Sequence, residues 1–175
     1  MRILTALIAV SALSVAAVSA EIIDRVVAVV SGQVITKSDL DMSTAFGMAS
    51  DLQTLIDRTL MLNEVRRVAP PDPPAADVQA RLARMRGRFA SSAAFTSALA
   101  ATGVEESSLA LFAADDLRLA TYLDERFSAA SQPTDTEIRQ AGETERDRLT
   151  NERRQALIAA WLAELRRRAD ITVLP

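Results

Sequence analysis

Strand-forming sequence occurs in only two places in this chain, and that confinement limits its fold more than any other feature. The first place is "RVVAVVSGQVITKSDLD", residues 25–41. Val26 to Val30 is β-branched apart from Ala28, Ser31-Gly32-Gln33 supplies a glycine-containing turn, and Val34-Ile35-Thr36 resumes the β-rich pattern. A hairpin is expected. Two strands alone are marginal in water and need a third strand or a covering helix. The second place is "DITVLP", residues 170–175, where Ile171 and Val173 alternate around Thr172. The two segments are therefore expected to meet in one small sheet, wrapped by the helices between them.

Between the two lies helical sequence. Ser38, with Asp41 three residues on, gives an S-x-x-D capping signal for a helix starting there. "DLQTLIDRTLMLNEVRRVA" carries Leu52, Leu55, Ile56 and Leu60 on one side, widened by Met61, Leu62 and Val65, which marks a largely buried helix. "PPDPP" at 70–74 ends it, because the rings remove donors and clash with a preceding turn; Asp72 or Asp77 can cap the next helix. Three helices are expected beyond the prolines, over 75–86, 92–101 and 105–127, with a break at Thr102-Gly103. "SAASQPTDTE" reads as a loop before a solvated, charged segment, "IRQAGETERDRLTNERRQ". The last helix places Leu157, Ile158, Trp161, Leu162 and Leu165 on one face and ends in Arg166-Arg167-Arg168, cations suited to a helix C-terminus. Trp161 reads as a core anchor against the sheet. The expected fold is mainly α with a small β-sheet, a helical domain closed by the N-terminal hairpin and the C-terminal strand.

The opening "MRILTALIAVSALSVAAVSA" has a basic start, an apolar middle and a small-residue end. It predicts a signal peptide, residues 1–20, cleaved after Ala20. An uncleaved anchor fits less well, since Thr5, Ser11 and Ser14 interrupt the apolar run. Cleavage would leave residues 21–175, one domain's worth of chain, located in the periplasm and without stable membrane insertion. Losing Arg2 takes the net charge from −3 to −4, which argues against a nucleic-acid partner.

The chain has no histidine and no cysteine, so Ser-His pairs, thiol nucleophiles, disulfides and His or thiolate zinc sites are unavailable. Its five glycines form no phosphate-binding loop. No catalytic residue, metal or cofactor is expected. The acidic pairs Glu105-Glu106 and Asp115-Asp116 are read as solvated structural groups, because adjacent helical residues point in different directions. "RLARMRGRF", with Arg81, Arg84, Arg86 and Arg88, is read as a solvated face paired with acids. Met42, Phe46 and Met48 crowd the end of a short helix, and Met85, Phe89 and Phe95 flank a loop. These six are the candidate substrate-contact residues, since flexible thioethers and rings suit a surface that accepts many apolar sequences; the other reading is that they are core.

Taken in order, "EIIDRVVAVVSGQVITKSDLD", "LIDRTLMLNEVRR", "SLALFAADDLRLATYLDERF", "PTDTEI" and "WLAELRRRADITVLP" resemble the SurA family of periplasmic chaperones. Order and spacing carry the likeness, over nearly all of residues 21–175. The resemblance implies an ATP-independent chaperone for unfolded outer-membrane polypeptides, held as extended apolar segments between helices. One departure is large. Members usually carry parvulin-type prolyl isomerase domains between the "PTDTEI"-like and "WLAEL"-like segments, whereas here only a few charged residues, around 140–150, lie between them. Isomerase activity is therefore expected to be absent. The alternative is an envelope scaffold that binds one folded partner. A large continuous apolar groove would favour the chaperone, and a compact polar-rimmed patch the scaffold.

Overall fold

The computed structural model describes residues 24–175; the expected signal peptide and the Ala20 cleavage site lie outside the described residues. The chain is mainly α with a small antiparallel sheet. Strands β1 (Val26–Val30) and β2 (Gln33–Thr36) form the hairpin. Helices α1 (Lys37–Ala45), α2 (Leu52–Val68), α3 (Ala75–Arg86), α4 (Ser92–Thr102), α5 (Glu106–Ser131), α6 (Asp135–Ala141) and α7 (Arg146–Arg168) come next, and strand β3 (Ile171–Val173) completes the order.

The sheet runs β2-β1-β3, so the strand near the C-terminus pairs with the first strand of the hairpin. The hairpin closes through Ser31 and Gly32 alone, both at positive φ (49° and 83°), the geometry that matches the twist of paired strands. A bulge between Val26 and Ala28 lets Val27 turn inward as well as Ala28 and Val30. Ala28, Val30 and Ile35 face Leu55, Ile56 and Leu60 of α2 and Trp161 and Leu165 of α7 in one core. Trp161 is thus the core anchor expected of it, tilted against Tyr122 and Phe127 at centroid distances of 5.7 and 5.8 Å.

Several local expectations need correction. The cap of α1 is Thr36, not Ser38: Thr36 Oγ1 accepts the Asp39 N–H at 3.2 Å, and the Asp39 carboxylate accepts the Thr36 N–H at 2.9 Å. Both pairs have the right spacing, and the strand's exit places the earlier one at the first turn. The Ser38 N–H is taken instead by the Asp24 carboxylate at 3.2 Å. Neither Asp72 nor Asp77 caps α3, which begins after Pro74 without a side-chain cap; Asp77 sits in its first turn. The expected loop at 128–137 is mostly helical, because α5 runs on to Ser131 and Thr134 opens α6 through a capping box with Glu137. The charged segment also divides. It breaks at Gly142, whose φ of 96° suits glycine, and resumes in α7 as one helix from Arg146 through Trp161.

Candidate functional site

All six candidate residues come together. Met42 and Phe46 of α1 and its end, Met85 of α3 and Phe95 of α4 are buried with Leu82, Leu109 and Ala113, and Met48 and Phe89 pack against them half-buried. The rings of Phe46, Phe89 and Phe95 form a triangle with centroids 5.4 to 5.9 Å apart. Two of the three contacts are edge-on, the arrangement that aligns ring edges with ring faces. The geometry is that of a second core: with exposures of 1 to 6 %, Met42, Phe46, Met85 and Phe95 offer a ligand almost no surface in this conformation. Met48 and Phe89 retain some.

Backbone contacts latch this core. Phe46 ends α1 and Gly47 continues at φ 68°, and the Arg88 Nη1 donates to both carbonyls, at 3.2 and 3.3 Å. Arg88 therefore pins the chain after α1 to the chain after α3. Two other arginines of that run are held by acids: Arg81 donates through Nε and Nη2 to Asp116 at 3.1 and 2.7 Å, and Arg86 pairs with Glu106.

The acidic pair of α5 departs from its sequence reading. Asp115 and Asp116 are not solvated; their side chains are 19 and 12 % exposed. Asp116 sits between Arg58 of α2 and Arg81 of α3, while Asp115 joins Arg66 of α2 at 3.0 Å and Arg118 at 2.9 Å. Adjacent positions on α5 thus both reach α2, and Asp116 reaches α3 as well. Arg118 also reaches Asp72 at 2.6 Å, and that hydrogen bond holds its guanidinium above its ordinary pKa. Nothing in a single sequence distinguishes such a hub from surface acids, since the cross-helix partners lie 35 to 58 residues away. Arg166 and Arg168 likewise do more than complement a helix end. They cross to α2, Arg166 to Asp57 at 2.5 Å and Arg168 to Glu64 at 3.4 Å.

A cavity of about 90 Å³ opens between β2, α1, α2 and α5. Met42, Leu55, Leu62 and Phe112 give it an apolar floor, and Arg58, Arg66, Asp39 and Asp115 rim it. Met42 is the one candidate residue that lines it. The Arg58 side chain is only 11 % exposed, and its Nη2 has no hydrogen-bond partner among the described residues. That nitrogen is itself fully buried, so the missing acceptor is a cost to the fold. A shallower hollow of about 380 Å³ lies at the ends of α2 and α7, where Leu60 and Leu165 are bordered by Glu64, Arg67 and Arg168. Among the described residues, no helix is long and apolar enough to cross a membrane. Larger apolar residues left exposed include Val34, Val173 and Leu174, all on or beside the sheet.

Sequence reasoning missed the cavity and its arginine. The helical apolar pattern pointed to Leu55 and Leu62 as core positions, but only the meeting of an edge strand with three helices leaves a gap beside them. No family model matches this chain, and no curated protein matches it.

Proposed function

We propose that this protein is an ATP-independent chaperone of the bacterial envelope that binds unfolded outer-membrane polypeptides and has no prolyl isomerase activity. The reading rests on the resemblance to SurA-type chaperones, and one observation supports it most. The segments that carry the resemblance, the hairpin with its capped helix and the final helix with its strand, pack together through β1 paired to β3 and through Trp161 and Leu165 beneath them. A likeness confined to separate sequence stretches would not require them to share a sheet and a core.

The second reading, an envelope scaffold for one folded partner, is favoured by a different observation. The cavity beside β2 is compact and rimmed by charge rather than part of a long apolar groove. The same assay weighs both. Purified protein is added to an outer-membrane protein diluted from urea, and light scattering is followed; the chaperone reading expects suppressed aggregation at near-stoichiometric ratios without ATP. Undiminished scattering would refute the chaperone reading and leave the scaffold.

A further inference from the structure

The free edge of β2 is where the described surface leaves backbone groups unpaired next to a cavity. Two bonds fix the phase of the sheet. The Ser31 N–H donates to the Asp170 carbonyl at 2.7 Å and the Leu174 N–H to the Val27 carbonyl at 3.0 Å. With the register Val29 to Thr172, Val29 must then turn its N–H and C=O toward β3. Ala28 and Val30 turn theirs toward Ile35 and Gln33 of β2. That leaves the N–H and C=O of Val34 facing away from the sheet, and its side chain is 49 % exposed. Gln33, Val34 and Ile35 border the cavity floored by Met42, Leu55, Leu62 and Phe112.

These features specify an occupant. Unpaired ladder groups call for another extended backbone. A volume of about 90 Å³ suits an aliphatic side chain, since a dry cavity of ~150 Å³ is what benzene requires. Arg58 and Arg66 already face Asp116 and Asp115, so the charges at the rim are balanced and favour an uncharged segment. We propose that the free edge of β2 accepts an extended, aliphatic, uncharged segment of an unfolded polypeptide as a fourth strand, bonded to Val34, with one side chain in the cavity. This inference rests on the chaperone reading and names the site at which the client chain is held.

The opposite edge supplies the control. The same phase turns the N–H of Val173 outward on β3, and proline is tolerated on an edge strand where the lost N–H faces away from the sheet. The probe is a short fluorescein-labelled peptide of alternating threonine and leucine, blocked at both ends, and binding to the purified protein is read by fluorescence anisotropy. Val34→Pro should weaken binding about tenfold, the loss of one ladder bond and its geometry, while Val173→Pro leaves it unchanged. Independently of whether Val34→Pro folds, N-methylation of both the central threonine and the central leucine of the peptide, one of which must present its N–H to Val34 in either strand direction, should weaken its binding to the unaltered protein at least as much. The proposal is overturned if no peptide binds, if Val173→Pro is the variant that loses binding, or if the N-methylated peptide binds as well as its parent. It is equally overturned if sedimentation shows a dimer that Val34→Pro dissociates and that excludes the peptide, since a second copy would then hold the edge. Aggregation suppression separates the two readings. A folded Val34→Pro variant that still suppresses aggregation fully removes this site and spares the chaperone, whereas peptide binding at β2 without any suppression by the unaltered protein removes the chaperone and spares the site.

Discussion

The two larger cores among the described residues are assembled in opposite ways. The sheet-side core joins Val27 to Ile35 with Trp161 and Leu165, residues from near both ends of the described chain. The methionine and phenylalanine core draws only on residues between Met42 and Ala113. Helix α5 serves both, with Leu109 and Ala113 in one and Phe127 in the other. The difference teaches that the first core closes a long loop and depends on the last strand, while the second is assembled by shorter-range contacts and latched by single side chains. Asp116 stands between the two, on the shared helix, paired to α2 on one side and α3 on the other.

The harshest way to break this contrast is to delete Asp170 to Pro175. That deletion removes β3, the Asp170 carbonyl that accepts from Ser31, and the cover over one edge of β1. Since two strands alone are marginal and exposed β-branched edges associate, cooperative unfolding should be lost and aggregation should appear. A truncated protein that melts as sharply and as high as the intact one would show that the sheet-side core does not need its long-range strand.

Asp116→Ala attacks the link between the cores. It leaves the buried Arg58 and the half-buried Arg81 without their shared anion, and removing one partner of a buried pair costs about 3–5 kcal/mol. Urea unfolding followed by circular dichroism measures it. A loss below ~1 kcal/mol would mean that each core stands without the hub.

A smaller effect is expected within the second core. Gly47 lies at φ 68°, and a Cβ there would meet the Arg88 guanidinium that latches α1 to α3. Gly47→Ala should cost about 1–3 kcal/mol through backbone strain, with the flexible end of Arg88 yielding. Thermal melting of the two proteins gives the comparison, and an unchanged midpoint would show that the latch carries no stability.

The smallest expected effect lies outside both cores, at α6. The Thr134 backbone N–H, then the Thr134 hydroxyl and Arg153, hold the Glu137 carboxyl down at about 2, below its ordinary 4.5. Because the folded pKa is the lower one, the contribution is complete above about pH 4.5 and is lost as pH falls toward 2. Melting curves across that range should show an acid-sensitive part in the unaltered protein that Glu137→Gln lacks. Matching acid limbs in the two proteins would show that the cap contributes nothing.

Much of the fold was legible because it rests on local rules. β-branched runs around Ser31-Gly32, the proline block after α2 and the glycine after α4, at φ 66°, fix where strands and helices begin and end. The third strand was also legible, since a lone hairpin requires a partner and "ITVL" is the other strand-forming stretch. The start of α1 was misplaced by two residues because Thr36-Asp39 and Ser38-Asp41 satisfy the same capping spacing. The sequence also grouped Met42, Phe46, Met48, Met85, Phe89 and Phe95 by chemistry, and they do cluster, but chemistry alone does not say whether such a cluster turns inward.

What the sequence by itself determined is therefore the set of elements, their order and the need for the final strand, because backbone propensity, capping and hydrophobic period act over a few residues. Tertiary structure alone decided three other things. It buried the methionine and phenylalanine cluster, drew Asp115 and Asp116 into ion pairs with arginines of α2, α3 and α5, and left a buried, unsatisfied Arg58 donor near a cavity at the Val34 edge. Each depends on which surfaces meet across tens of residues, where burial, not local conformation, sets the free energy of a charge, a ring or an unpaired hydrogen-bond donor.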